Sequence, residues 1–488
     1  MLKKEHRKLF RRLLSKDYEV MLFLIVLLGL ILRLVFLSGI GASDDLEYSR
    51  YANNLELISD TDYFGVRAGI IYVTALSYNL FGVNDFTSIL FVLLTSIGSI
   101  ILAFYFGKLL FNRKVGLIAA FLLSFFPLNV VYSTKLLTDL PSAFFMSLGV
   151  YIFLYFEIKK LKHKIGYLIS GVSIGIGYLL RESILIIGLF FVAYIIYKRR
   201  IKKEYFLVPL GVFAIMGIEF LAFFSLTGDP LFRFHTSQQY LSEALQYHNY
   251  FGRLDFPSGL FHYPWLFLTN NLLVFFYIFI FLAISYAIIY KKKDTYNLLF
   301  WFIPLLLYLS FGSSGILQYI PFRAIDRYTS IITIPGILLL AFFLGEQDRI
   351  IKRFVMPTTL ALLLLTSLGS IHLYEGRQQL TELEAAYSQL EGLKKTIYID
   401  SRSIKALDYI SRYNNKIDVR EYVDDLSGVE DSYVVVNKKM IRGLKDANDK
   451  RKFPEEIENP PEDWVKLNEF GMRDKDKVII YYIPKKVL

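Results

Sequence analysis

Three carboxylates, Asp44, Asp45 and Glu47, fall within the stretch Gly41-Ala-Ser-Asp-Asp-Leu-Glu-Tyr-Ser-Arg-Tyr-Ala-Asn-Asn-Leu55. A pair of carboxylates there could take a proton from an acceptor hydroxyl or hold a divalent cation. The same acids could equally cap a helix and occupy its first turn, where the helix dipole favours negative charge. Arg67, in Phe64-Gly-Val-Arg-Ala-Gly69, carries a planar guanidinium that suits a lipid phosphate, or that snorkels at a headgroup boundary. Asp139 stands two residues before Pro141, in a pattern that turn chemistry alone can produce. Arg181–Glu182 breaks an apolar stretch, where charge costs a few kcal/mol unless exposed or paired. Arg323, Asp326, Arg327 and Tyr328 precede another apolar run, and Arg327 is a second candidate for anionic contact. His235, His248 and His262 share one long loop, but their spacing matches no metal-binding pattern.

The elements that position these groups are set by composition. The 488 residues are 54% hydrophobic and 17% aromatic with no cysteine, which excludes disulfides, thiolate metal sites and a Cys nucleophile. The net charge of +11 could suggest nucleic acid. Apolar runs near the length that spans a bilayer argue instead for a membrane protein, with no nucleic-acid partner. Eleven such runs lie near 20–37, 86–110, 115–132, 141–157, 165–180, 183–197, 205–225, 265–290, 296–311, 328–345 and 354–373. The two short ones flanking Arg181–Glu182 could form a broken pair of helices.

The loops between the runs alternate in character. Arg113–Lys114, Lys159–Lys164, Lys198–Lys203, Lys291–Lys293 and Arg349 with Lys352–Arg353 are short and basic. Segments 41–85, 133–140, 226–264 and 312–327 are longer and poor in lysine. By the positive-inside rule the N-terminus and the first set are cytoplasmic and the second set faces outward. In the outward segment 41–85, Tyr48, Tyr51, Ala52 and Leu55 recur at helical spacing, which predicts an amphipathic helix along the interface. Arg67 opens a second such helix. An odd number of spans leaves the C-terminal segment outside as well. From about residue 375 no spanning run occurs. Short β-rich stretches at 396–399, 433–436 and 478–483 alternate with a helix-like 404–413, which predicts a small α/β domain. The expected division is therefore a membrane domain over 1–374 and an extracytoplasmic domain over 375–488.

An ordered set of fragments resembles the GT-C glycosyltransferases, in particular the protein-O-mannosyltransferase and aminoarabinose-transferase branch. The set comprises Asp44–Asp45 after the first helix, Arg67-Ala-Gly69 with Leu80-Phe-Gly82, and Phe125-Phe-Pro127 with Leu137-Thr-Asp-Leu-Pro141. Gly171 to Gly177 leading to Leu180-Arg-Glu182, and Arg327-Tyr328 with Ile334-Pro335, complete it. The resemblance implies a multi-pass helical membrane enzyme of the cell membrane. It would move a sugar, by an inverting route, from a polyprenyl-phosphate carrier of the dolichyl type to a protein, lipid or glycan acceptor. On that pattern Asp44 is the general base, with Asp45 the neighbouring acid that could take the role, and Asp139 orients acceptor or sugar hydroxyls. Arg67 contacts the donor phosphate and Arg327 is a looser candidate for the same task. Glu47, Tyr48, Arg181 and Glu182 are candidate sugar or acceptor contacts. A divalent cation, held by Asp44 and Asp45 if by any residues, stays open.

Two departures are visible. The proline common after the first-loop arginine is Ala68 here. The tryptophan-rich acceptor motif of oligosaccharyltransferase catalytic subunits is absent, since the only tryptophans are Trp265, Trp301 and Trp464. The alternative function is a transporter or flippase for a lipid-linked sugar. It would place ionisable groups at mid-membrane in broken helices of two related halves, whereas here the acids cluster on the outward loops, with Arg33, Arg181–Glu182 and Glu219 the few exceptions.

Overall fold

The computed structural model describes residues 2–41, 43–60, 63–161, 163–247, 261–313, 324–346, 349–374, 380–414, 417–422, 426, 428–446 and 453–485. His248, Arg323 and the junction expected at residue 375 lie outside the described residues. In chain order the helices begin with α1 (Leu2–Val35), α2 (Asp44–Asn53), α3 (Ala68–Phe81), α4 (Asp85–Leu110), α5 (Arg113–Ser124) and α6 (Pro127–Tyr132). Then come α7 (Asp139–Lys159), α8 (Ile165–Leu180), α9 (Gly188–Lys198), α10 (Leu207–Thr227), α11 (Phe232–Tyr247) and α12 (His262–Thr269). The bundle closes with α13 (Val274–Ile289), α14 (Tyr296–Phe311), α15 (Ser330–Glu346) and α16 (Arg349–His372).

Seven helical stretches among the described residues are long and apolar enough to cross a bilayer: 17–35, 85–110, 139–159, 203–227, 293–311, 326–346 and 354–372. The pair α12 and α13 is apolar enough only together and meets at 119°, the geometry of a broken span or a re-entrant loop. There the Asn270 side chain accepts from the Leu272 amide and ends the first helix. The remaining three expected runs form shorter helices. Run 115–132 splits into α5 and α6 because Pro127 cannot continue the hydrogen-bond ladder. Run 165–180 is the 16-residue α8. Run 183–197 begins as a 3-10 turn over Glu182–Ile187 before α9, so the break expected at Arg181–Glu182 is present.

Burial grades across the bundle. The 326–346 stretch is 83% buried and forms its axis, whereas 17–35 is 11% buried and faces outward. Small residues set the tightest crossing: a Cβ on Gly171 would lie 2.0 Å from the Val208 carbonyl oxygen, and one on Gly211 2.5 Å from that of Leu168. Any side chain there would force α8 and α10 apart. Within α1, Arg33 is wholly buried and donates to Ser96 Oγ and to the carbonyls of Gly29 and Ser124, each at 2.9 Å. These bonds offset the cost of a charge inside the membrane and tie α1 to α4 and α5.

The C-terminal part forms a five-stranded sheet in the order β2-β1-β3-β5-β4. The strands are β1 (Ile397–Ile399), β2 (Val419–Glu421), β3 (Ser432–Asn437), β4 (Val465–Phe470) and β5 (Val478–Ile483). β1 pairs in parallel with β2 and β3, while β5 runs antiparallel to β3 and β4. Helices α17 (Thr381–Glu391), α18 (Ser401–Ile410), α19 (Lys438–Asp446) and α20 (Glu455–Glu458) accompany it. One sheet face packs Val434, Val436 and Ile479 with Trp464. The other packs Val435 and Ile480 into the continuous core that also holds the bundle. α18, capped by Asp400 accepting from the Ser403 amide, lies on α2.

Candidate active site

The site is built on the turn that precedes α2. Asp45 is buried and its carboxylate accepts from the amides of Gly41 and Ser43, closing the turn on itself. Burial raises its pKa, and the nearby Lys135 and the Gly41 amide offset this only in part. Asp44, one residue earlier, points elsewhere. Its Oδ2 accepts from Arg327 Nη2 at 2.7 Å and its Oδ1 from Ser43 Oγ at 3.2 Å. Burial would raise the Asp44 pKa, but the charge and hydrogen bond of Arg327 outweigh it and hold the carboxyl below its ordinary value. The neighbouring acids thus have different tasks: Asp45 shapes the backbone, and Asp44 is an ionised carboxylate facing a cation.

Arg327 lies on a 3-10 turn, Asp326–Thr329, that opens α15. Asp326 fixes that turn by accepting from Tyr132 OH at 2.7 Å, Asn270 Nδ2 at 3.1 Å and the Arg327 amide at 2.7 Å. Arg327 Nε is 3.7 Å from Asp139 Oδ2, and Asp139 takes a hydrogen bond from Arg181 on its other oxygen. The Arg181 guanidinium lies over the Tyr328 ring at 4.1 Å. Asp44, Arg327, Asp139 and Arg181 therefore form one charged chain across the ends of α2, α15, α7 and α8. A cleft opens beside it, walled by Ser142, Ser183 and Tyr308 as well as the three last-named charged residues.

A second charged chain starts at Arg67, the buried residue preceding α3. Its two terminal nitrogens bond both oxygens of Glu182, one of them at 3.0 Å, and one also donates to Tyr63 OH. Glu182 accepts in addition from Arg233 Nη2 at 3.0 Å. Arg233, on α11, bonds Glu219 Oε1 at 2.6 Å and the Tyr178 carbonyl at 3.0 Å. Burial would raise the Glu182 pKa, yet Arg67 and Arg233 drive it far below the usual carboxylate range. Tyr63 stacks on Tyr240 of α11 at 4.3 Å. Tyr48 is buried between the two chains, within the field of Arg67 on one side and of Asp44 with Arg327 on the other. Burial pushes its hydroxyl well above the ordinary tyrosine range, so it stays neutral.

The two chains hold four guanidiniums against four carboxylates, so the buried charge balances. Arg67 Nε, Arg233 Nε and Arg327 Nε still have no hydrogen-bond acceptor among the described residues. An incoming anion can use those donors, and it must displace carboxylates to gain full contact.

Glu47 is turned away from the clefts. It pairs with Lys405 of α18 and, at 3.1 Å, with Arg50. Beside it runs a neutral network: Ser49 Oγ bonds Tyr78 OH and Tyr413 OH at 2.7 Å each, and Tyr78 OH bonds Ser88 Oγ at 2.8 Å. Ser88 Oγ bonds Tyr409 OH at 3.0 Å, and Tyr409 donates to Asp85 at 2.8 Å. Asp85 also accepts from the Ile40 amide at 3.4 Å, next to Gly39, whose φ of +68° and close approach to that carboxylate leave no room for a side chain. The C-terminal domain thereby grips both α2 and the turn before it.

Among the described residues no three His, Asp or Glu side chains converge on a point that could hold a metal ion. With Asp45 committed to amides and Asp44 to Arg327, a divalent cation at this pair would need oxygens from substrate and water, and displacement of Arg327. The pair as arranged does not fit a resident ion.

Of the residues singled out from sequence, Asp44, Asp139, Arg181 and Arg327 come together in one chain and Arg67 with Glu182 in the other. Arg233, Tyr63 and Lys135 were not singled out. Glu219 in an apolar helix was a usable signal, because a buried carboxylate demands a cation, and Arg233 is that cation.

Residues 69–222 match the family described as dolichyl-phosphate-mannose-protein mannosyltransferase. No curated protein matches the chain significantly by sequence. Among solved structures, apo ArnT from Cupriavidus metallidurans superposes with a TM-score of 0.61 at 14% identity, covering 96% of this chain and 98% of its own. The same protein bound to undecaprenyl phosphate gives 0.59 at 12%, covering 94% and 97%. The archaeal oligosaccharyltransferase AglB from Archaeoglobus fulgidus, in complex with an inhibitory peptide and a dolichol-phosphate, gives 0.56 at 12%, covering 89% and 71%. In fold, then, the chain is similar to ArnT over nearly its whole length, and residues 69–222 match the sequence pattern of the protein-mannosyltransferase family.

Proposed function

We propose that this protein is an integral membrane glycosyltransferase that moves a sugar from a polyprenyl-phosphate carrier to an acceptor by inverting single displacement. One observation carries the reading: four guanidiniums gather at one end of an apolar bundle, with the ionised Asp44 on their edge. A phosphate carried on a long apolar chain is the ligand that such a place suits, because its tail stays among helices while its head meets the cations. Structures of similar fold hold such carriers, undecaprenyl phosphate in ArnT and dolichol-phosphate in AglB.

The chemistry follows from competition for the arginines. Donor phosphate approaching Arg327 takes over the hydrogen bonds now given to Asp44, and Arg67 contributes from the other side. The acceptor oxygen attacks the anomeric carbon as the bond to the phosphate oxygen breaks. Asp44, released from Arg327, takes the acceptor proton, and the carrier phosphate leaves as a dianion. Charge grows on the leaving phosphate in the transition state, so cations fixed beforehand stabilise that state more than the ground state. Asp139, held between Arg181 and Arg327, is placed to accept from a sugar hydroxyl. The alternation of basic and lysine-poor loops supports a cytoplasmic N-terminus, with this site and the C-terminal domain on the opposite face.

Purified protein incubated with a panel of polyprenyl-phosphate sugars should release polyprenyl phosphate from one of them with acceptor present. Carrier lipid that crosses a vesicle bilayer with its sugar intact, and no release under any condition, would favour transport instead.

A further inference from the structure

At the end of the bundle away from Asp44, α1 and α4 diverge and leave a groove of about 270 Å³. Its walls are ordered like an amphiphile. Lys108, Arg113 and Tyr18 stand at the outer end, and Leu22, Phe23, Val26 and Ile101 continue toward the middle of the membrane span. From Tyr18 to Val26 the helix rises about 12 Å, roughly four-fifths of one leaflet's hydrocarbon. The cations are preset by aromatic rings: Arg113 lies over Tyr18 at 6.0 Å, and Lys108 over Tyr105 at 5.5 Å. Neither has a carboxylate partner among the described residues. Glu19, exposed on the rim, is the acid that lines the groove, and it pairs with neither cation. In the sequence, the residues preceding Tyr18 include Lys3, Lys4, Arg7, Lys8, Arg11, Arg12 and Lys16. Such a basic run beside a membrane span concentrates anionic lipid at the surface.

We propose that this groove binds one anionic glycerophospholipid, with its phosphate between Lys108 and Arg113 and one acyl chain laid along Leu22, Phe23, Val26 and Ile101. The groove's polarity gradient matches a lipid lying parallel to the helices, and the unneutralised cations select a headgroup with net negative charge. Because α1 is scarcely buried elsewhere, a lipid filling this gap would also fasten it to the bundle. The site is independent of the sugar-transfer reading, being built from other residues at the other end of the molecule.

The test is native mass spectrometry of the full-length protein in detergent, offered equal amounts of phosphatidylglycerol, phosphatidylethanolamine and phosphatidylcholine. One phosphatidylglycerol should be retained preferentially. The Lys108→Gln/Arg113→Gln double variant should hold it roughly thirtyfold more weakly, since each surface cation contributes about 1 kcal/mol. Val26→Trp, which fills the apolar end and keeps both cations, should also lose it and provides a second route if the double variant fails to fold. Equal retention of the three lipids by the wild type, or unchanged retention by the variants, would overturn the proposal. So would displacement of the lipid by millimolar inorganic phosphate, which would mark a site for the free ion.

Discussion

Two networks hold α2, and they are made of different chemistry. On one side Asp44 joins Arg327, Asp139 and Arg181, and the chain of Arg67, Glu182, Arg233 and Glu219 lies close by. On the other side Ser49, Tyr78, Ser88, Tyr409 and Tyr413 share hydroxyl hydrogen bonds that end on Asp85. Both are largely buried, and both link segments far apart in sequence. A charged ligand can exchange with the first network, because phosphate offers an arginine what a carboxylate offers. It cannot exchange with the second, whose members are neutral and satisfied among themselves. On the proposed function, the first network is the part that would rearrange during a turnover, and the second keeps α2 and its turn in place.

The comparison breaks first at Asp44. Asp44→Asn should lower sugar transfer by about 10²- to 10⁴-fold, the usual range for losing a general base, with donor binding kept; near wild-type rates would remove Asp44 from that role. Next comes Arg67→Ala, expected to cut kcat/KM for the donor by roughly 10²-fold or more. An effect confined to the acceptor KM would argue that Arg67 serves Glu182 and α3 instead.

A pH measurement sharpens the same side. Because Arg327 holds the Asp44 pKa below its ordinary value, the pair stabilises the fold above the unfolded carboxylate pKa. That contribution disappears as pH falls through the lower folded value. Arg327→Gln should therefore lower Tm near neutral pH and flatten the acid limb of the melting curve, since the contribution removed is the one that titrates there. An unchanged limb would mean that the pair does not hold in solution.

The neutral side gives smaller effects. Tyr409→Phe deletes the hydrogen bonds to Asp85 and Ser88 and should cost about 1.5–3 kcal/mol of stability, seen as a lower Tm. Transfer should fall only a few-fold, in kcat rather than donor KM, because the turn carrying Asp44 loosens. Lys405→Met, which removes a partly exposed partner of Glu47, should change stability by at most about 1 kcal/mol.

Much of this architecture was legible in the chain. Long apolar runs were enough for the membrane helices, and alternating short strands for β1, β3 and β5. Edge strand β4 escaped because Val465–Phe470 faces solvent and lacks an apolar pattern. The short β2 escaped for the same reason, with two of its three residues exposed. The separate tasks of Asp44 and Asp45 were not readable either, since side-chain direction depends on the turn at 41–43 and on a partner 283 residues away. Arg181–Glu182 looks like a self-paired turn in sequence. In the folded chain each residue finds a partner elsewhere, Asp139 for Arg181 and Arg67 with Arg233 for Glu182. Tyr409 and Tyr413 sit in a domain whose sequence carries no sign of where it docks.

The central claim is that Asp44 is freed by the donor phosphate to act as base. Pre-steady-state release of polyprenyl phosphate, measured with wild type and Asp44→Asn under saturating donor and acceptor, is the most direct test. The account predicts a burst with wild type and none with the variant, while both bind polyprenyl phosphate with similar Kd. Equal bursts from the two proteins would contradict it.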